Sequence, residues 1–499
     1  MDIKTPFNAD TIPILKEINY GFPSVVGVEW NQSTDTWTRI DAMGNHMSSF
    51  SPDFDDLEPW KSIRRVTLSA NGRITGVGDG KGTGLTLDGS TGIVMVQIPK
   101  FYIKGMRAAA NTYRWWISPV AREGFEVHPA FLQRGGTERD FIYVGAYEAA
   151  VGYQSHTSIT KLLQSRTGVQ PYTGNADAIW AIDFDGGQNV PAIGDELSTP
   201  TESGFYLVDY TVSGGDWLTS NAAGELLLRK PGDSTCGWLD NEDITNNTQV
   251  NTLAGGVGLG VDGAPVGETA TISVVRTYAG NVGSNWGQLG FWSLAAIRLL
   301  FYVEYAGANS QILIGKGIVD KASGTGFAGE LTGADSIDSN LATNGIGTGI
   351  GSDGLTPIAY RGIENLWGNV WKFVDGYNAV DAEYRIIDRD GSGTFADALA
   401  GGDYEASLAT PITSDGYQSN ICWEDLLKFA LIPNAVAGSS STYLCDYFYA
   451  HNAGETNILL FGGYWNHGLN AGVAYLHSAN VASFCYRYFG GRLEFIGQG

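Results

Sequence analysis

Residues 461–499 read FGGYWNHGLNAGVAYLHSANVASFCYRYFGGRLEFIGQG, and this stretch decides how the rest of the chain is understood. An FGG framework opens it at Phe461 and returns at Phe489. Between the two, Lys, Glu, Gln and Met are absent, whereas Tyr464, His467, His477, Phe484, Tyr486 and Tyr488 crowd in. Stiff amphipathic rings among small polar residues make up a contact surface, because they offer large area at low entropic cost. Period-two geometry places Phe484, Tyr486 and Tyr488 on one face of an extended segment and Cys485, Arg487 and Phe489 on the other. The competing reading makes these aromatics the core of a β domain, and the interspersed His and Asn weigh against it. The expected contact set is Tyr464, Asn466, His467, Leu469, Asn470, His477, Asn480, Phe484, Tyr486, Arg487 and Tyr488. Gly462, Gly463, Trp465, Gly468, Gly472, Gly491 and Arg492 are expected to be scaffold, through tight turns, close backbone approach and a buried guanidinium.

Working outward, 499 residues imply two to four domains with proper cores. Hydrophobic residues at 43% and charged residues at 17% exclude general disorder, and 68 glycines point to many turns and short strands. The fold class is therefore α+β and β-rich. Thirty basic against 53 acidic side chains give a net charge of −23, which repels phosphate backbones and anionic headgroups, so nucleic acid is not an expected partner. The most apolar run, FWSLAAIRLLFYVEYA from Phe291, is too short to span a bilayer and contains Arg298 and Glu304. It reads as a buried amphipathic helix over Ser293–Tyr305 with a left-handed cap at Gly307, and no membrane insertion is expected. The first twenty residues lack an apolar stretch after a basic head, which leads to an expectation of synthesis in a cytosol. Cys236, Cys422, Cys445 and Cys485 have no paired spacing, which argues against a zinc cage or disulfide framework and leaves a Cys422–Cys445 bridge open.

Up to residue 93, short apolar runs alternate with turn signals (SANGRITG, GDGKGTG, LDGSTG), giving an N-terminal β region at 1–93. VMVQIPKFYIKG, TYRWWISP and DFIYVGAYEAA read as strands that begin a second domain at 94–175. Residues 176–280 read as an inserted β module, after which 281–499 completes the second domain, with the binding region at 462–492. A Gly/Ser/Asp-rich loop from Ala322 to Gly354 is long enough to suggest function. CWEDLLKFAL reads as a short second helix before Pro433. TYLCDYFYA, NILLFGGYW, AGVAYLH and FCYRYFGGRLEF read as closing strands.

The set GIENLWGNVWKFVDG, NILLFGGYW and FGGRLEF resembles the C-type-lectin fold as used by formylglycine-generating enzymes and by the variable proteins of diversity-generating retroelements. The second group is the better fit. In it, a GGxW start and a terminal GxR framework hold scattered hypervariable positions, and many members are phage tail or receptor-binding proteins. KSIRRVTLSANGRI, IPKFYIKG, GFEVHPAF, IYVGAYEA and AAIRLLFYVEYAGANSQILIGKG also resemble phage tail-fibre proteins with such a C-terminus, and Phe184–Ile244 resembles small β inserts of phage structural proteins. In that family, adenine-directed mutagenesis of Asn-type codons cannot reach Lys, Glu, Gln, Met or Trp. The absence of the first four between Gly462 and Arg492 agrees with this, and Trp465 sits where the family keeps a fixed tryptophan. The resemblance implies a C-terminal C-type-lectin-like domain in a virion tail fibre or tail tip. It also implies a host cell-surface protein or glycan as receptor, other tail proteins as partners, and a homotrimer.

Other motifs carry less. DRDGSGTFAD starts like a calcium loop, with Asp388, Asp390 and Ser392 as alternate ligands, but Leu399 stands where a closing carboxylate belongs and Asp397 is the available substitute. Calcium is thus a candidate ion, no cofactor is required, and a calcium-dependent cell-surface adhesin or lectin is the alternative function. GIGSDG from Gly349 lacks the strand and helix that a dinucleotide site needs. Asn365, Trp367, Asn369 and Trp371 alternate as in a strand, with the tryptophans expected to pack on the terminal strands. Formylglycine chemistry depends on paired redox cysteines, and SFCYRY supplies Cys485 alone. With neither HExxH nor GxSxG present, no catalytic residue is assigned and the expectation is a binding protein.

Overall fold

A computed structural model describes residues 25–47, 54–132, 136–174, 179–230, 236–258, 266–267, 269–322, 337–338, 353–381, 383–389, 393–397 and 402–497. Strands dominate, with three α-helices among the described residues, so the chain is a β-rich α+β protein. Its centre is the helix Phe291–Tyr305, in which every residue from Phe291 to Val303 is buried. A helix apolar on all sides has no solvent face, and sheets pack around this one. The left-handed residue at its end is Ala306 rather than Gly307, with φ 45° and its N–H on Tyr302 O. Arg298 is the one charge in the buried part of the helix, and it is held by carbonyls: Nε donates to Val473 O at 3.0 Å and Nη1 to Ala430 O at 2.8 Å.

Strand pairing crosses the boundary expected at residue 93. Val26–Asn31 lies between Thr36–Ile40 and Thr112–Ser118, and Arg64–Leu68 pairs with Ile93–Pro99, which pairs with Phe141–Gly145. Leu493–Phe495 joins that second sheet between Phe141–Gly145 and Trp286–Gln288. Backbone N–H and C=O groups at a sheet edge need partners, and here Val26–Asn31 takes one from Thr112–Ser118 and Arg64–Leu68 one from Ile93–Pro99, so the strands before residue 93 share sheets with those after it. They form no separate body.

The strands from Trp180 to Gly267 form one seven-stranded sheet with its own core of Trp180, Phe184, Phe205, Trp238 and Leu253, among others. The helix Ile272–Gly280, inside the expected module boundary, packs elsewhere. Its Arg276 forks onto the buried Asp375 and onto Asp397, 2.6 Å away.

Two further expectations are corrected. CWEDLLKFAL forms successive turns, not a helix. Lys428 O accepts from Trp115 Nε1, Ala430 O and Leu431 O accept from Arg298, and Leu431 has φ 51°. The strand alternation of Asn365 to Trp371 also fails, since Asn365 and Asn369 are left-handed (φ 48° and 61°), a region Asn tolerates. Trp367 turns its Nε1 to Lys316 O, while Trp371 begins the strand Trp371–Val380 and reaches the terminal segments. All four cysteines are free thiols, so Cys422 and Cys445 form no bridge.

Candidate binding surface

The strand Trp371–Val380 organises the C-terminal surface. It pairs antiparallel with Asn457–Phe461 and parallel with Phe489–Gly490, so the three framework motifs meet in one sheet. Gly368 N–H bonds to Gly462 O, Trp465 N–H to Asn369 O and Trp371 N–H to Tyr488 O, at 2.8–3.0 Å. At Gly462 (φ 90°) an added Cβ would lie 2.7 Å from Leu366 O, so the chain turns there with only hydrogen on the α-carbon. Gly463 faces the Tyr475 ring, Gly468 opens the short turn Gly468–Asn470, and Gly491 abuts Val275. Trp465 is 2% exposed, packed with Ile318, Val370, Tyr464 and Tyr488. Arg492, 1% exposed, donates from Nη1 to Gly145 O at 2.7 Å and from Nη2 to Glu364 O at 2.5 Å.

Behind the sheet lies a buried polar group. Lys372 Nζ is 2.9 Å from Glu148 Oε1, and the Asn369 amide donates to Glu148 Oε2. Burial pushes the Lys372 amine down to about 8, with Glu148 opposing. Gly472 presses on a second buried carboxylate, Asp446, whose Oδ2 accepts from Ala474 N–H at 2.7 Å. Because an added Cβ would sit 2.3 Å from Asp446 Oδ1, Gly472→Ala is expected to lower stability by about 1–3 kcal/mol, read from denaturant midpoints. An unchanged midpoint would show that the carboxylate has room to move.

On this framework the rings form a row. Phe484, Tyr486 and Tyr488 stack in succession, with centroids 5.9 and 5.2 Å apart and planes within 18°, and Tyr464 continues the stack at 4.3 Å from Tyr488. The backbone beneath is turned rather than extended: Phe484 N–H bonds to Val481 O and Phe489 N–H to Tyr486 O. Only Phe489–Gly490 and Leu493–Phe495 of the expected closing strand form, yet the alternate rings still share a side while Phe489 is buried against Phe373. Cys485 lies against Gly174.

The expected contact residues differ in exposure. Leu469 is 55% and Phe484 38% exposed, Asn466 is exposed, and Tyr464, His467, Asn470, His477, Asn480, Tyr486, Arg487 and Tyr488 are half-buried. His467 packs on Tyr464 and Trp371, and His477 on Trp371 and Tyr449. Each uses Nδ1 as an acceptor for a backbone N–H, of Tyr464 and Ala479 respectively, which an imidazolium does not do. Burial pushes both pKa values down to about 3.

A histidine with a folded pKa below its unfolded value of about 6.5 stabilises the fold fully above that pH and loses the contribution as pH falls towards 3. Asp375, pushed up to about 6 by burial, works the other way below pH 6. Acidification from pH 7.5 to 5.0 is therefore expected to lower the Tm of the wild type more than that of His467→Gln/His477→Gln. Equal losses in the two proteins would show that these imidazoles titrate as in water.

Three rings escaped the sequence reading. Tyr447 and Tyr449, on the strand Tyr447–Tyr449, and Tyr417, on Gly416–Ile421, extend the row: Tyr449 meets His477 at 4.6 Å, Tyr447 at 5.2 Å, and Tyr447 meets Tyr417 at 5.3 Å. Tyr417 also donates its hydroxyl to Asn470 Oδ1 at 2.6 Å. The available signal was DYFYA, where two tyrosines flank the buried Phe448 at period two, marking a half-exposed face.

Of the calcium candidates, Asp390 and Ser392 lie outside the described residues, Asp388 N–H bonds to Asp403 O, and Asp397 is engaged by Arg276. No cluster of three or more His, Cys, Asp or Glu placed to hold a metal occurs among the described residues. Most of the 322–354 loop, including Gly349 to Ser352 of GIGSDG, is also outside them. No described helix is long and apolar enough to cross a membrane.

Fold and surface together define a β-rich α+β protein that carries a row of half-exposed aromatic rings on a buried polar framework. No protein-family model matches the chain, and no curated protein matches it.

Proposed function

We propose that this chain is a receptor-binding protein of a phage or virus tail fibre, in which residues 462–492 supply a diversified surface on a C-type-lectin-type domain. The observation that carries the proposal is the row from Phe484 through Tyr488 and Tyr464 to His467. Its rings are half-exposed, while Trp465, packed on Tyr464 and Tyr488, is buried, and Gly462 and Arg492 of the same framework are buried in fixed bonds. Ring area presented on a rigid support is what an interface core uses, and rigidity keeps the ordering cost of binding low. The meeting of GIENLWGNVW, NILLFGGYW and FGGRLEF in one sheet supports the lectin-type reading. Binding is without turnover, requires no cofactor, and is strengthened by several copies on one particle, as in a homotrimer.

Purified chain added to host cells is expected to block adsorption of particles that carry it. Flanking DNA is expected to hold a reverse-transcriptase reading frame and a near-copy of the codons for Gly462 to Arg492. Undiminished adsorption at saturating chain would overturn the receptor-binding reading. Isolates that differ elsewhere but never at Tyr464, His467, Tyr486 or Tyr488 would overturn diversification.

A further inference from the structure

We infer that Tyr417, Tyr447 and Tyr449 are the constant half of the binding face and that its occupant is a polypeptide. The inference rests on the receptor-binding reading. These tyrosines lie outside 462–492, on strands brought alongside by the parallel pairing of Phe448 with Leu476 and Tyr449 with His477. All three are half-buried, and each contacts the next or a residue of the expected contact set. The face therefore has two parts. One contains Tyr464, His467, His477, Phe484, Tyr486 and Tyr488; the other is fixed by strands whose partner Phe448 is buried at 1% exposure. The Tyr417 hydroxyl joins them through Asn470, and Gln311 Nε2 holds the same turn by the Gly468 and Ala471 carbonyls, at 2.9 and 2.8 Å.

Ring orientation identifies the occupant. A saccharide docks by laying its C–H face over an exposed aromatic face. Tyr488 instead lies between Tyr486 and Tyr464, with planes at 4° and 16°, and Tyr486 lies between Tyr488 and Phe484. Both faces of Tyr486 and of Tyr488 are therefore covered by neighbours, which leaves the edges of these half-buried rings for contact. In the constant half rings meet at 84° and 60°, so each contact sets the edge of one ring against a face of the next. Phenolic edges suit the apolar side chains and peptide groups of a protein surface. On this arrangement the constant half supplies affinity common to all variants, and the variable half selects among receptors.

The test uses fluorescently labelled chain titrated onto intact host cells. Tyr447→Ala/Tyr449→Ala is expected to weaken binding at least tenfold while the chain still unfolds in one cooperative transition, and by a similar factor in a second natural variant that differs at the 462–492 positions. Tyr417→Phe, which keeps the ring and releases Asn470, is expected to cost severalfold and guards against a folding defect in the double variant. Host cells treated with proteinase K are expected to lose binding, and cells treated with periodate to keep it. If Tyr486→Ala/Tyr488→Ala binds like the wild type, the receptor-binding reading itself falls. If that variant fails to bind while Tyr447→Ala/Tyr449→Ala and Tyr417→Phe bind within twofold of wild type, only the constant half is overturned. Loss of binding after periodate, with or without proteinase sensitivity, overturns the polypeptide occupant.

Discussion

Lys372→Met is expected to destabilise the protein by about 3–5 kcal/mol, because it strands the Glu148 carboxylate inside the fold. Both side chains are at most 1% exposed, and their charged atoms are 2.9 Å apart. Lys372 also donates to Gly368 O at 2.7 Å, fixing the carbonyl next to the left-handed Asn369, whose amide returns to Glu148. Removing the ammonium therefore leaves a desolvated anion and frees the turn whose Asn369 carbonyl accepts from Trp465 N–H. Lys372→Met with Glu148→Gln is expected to cost less than Lys372→Met alone, since a neutral amide still accepts from Asn369 and the stranded carboxylate is gone. Denaturant titration of the two single variants and the double variant reads the coupling directly. A loss under about 1 kcal/mol for Lys372→Met would mean that water reaches Glu148.

The same network shows what the sequence made legible. Arg492, Trp465 and Gly462 could be assigned to scaffold from residue type, because a buried guanidinium, a fixed indole and a glycine turn have few other uses. Strand alternation in 93–118 and the apolar run at 291–305 were equally readable, since periodicity is local. Which strands meet is not local. Nothing within Arg64–Leu68 indicates that its sheet is completed by Phe141–Gly145 and Leu493–Phe495, and the boundary expected at residue 93 runs through a continuous sheet. CWEDLLKFAL has helical composition, yet it folds as turns whose last carbonyls meet Trp115 and Arg298, from far away in the chain. Tyr447 and Tyr449 were readable as a half-exposed face, but their place beside His477 follows from a parallel pairing with no local signature.

Tyr488→Ala is expected to weaken binding to receptor-bearing cells by about thirtyfold or more, the cost of losing a hot-spot residue, while lowering stability by only about 1–2 kcal/mol. Tyr488 is half-buried and stacks on both Tyr486 and Tyr464, with Trp465 edge-on at 6.1 Å. Without its ring, neither neighbour is held in the orientation that turns its edge outward, so the loss spreads beyond one contact. Phe484, at the end of the row with Tyr486 as its stacking neighbour, is expected to matter less: Phe484→Ala should cost a few-fold. Tyr488→Phe preserves the stack and removes one hydroxyl, and binding within about fivefold of wild type is expected. Titrating labelled variants onto cells and recording each Tm separates the two effects. If Tyr488→Ala binds as tightly as the wild type while its Tm falls, the row is internal packing that happens to reach the surface. If binding falls and the Tm holds, the stack exists to present its edges.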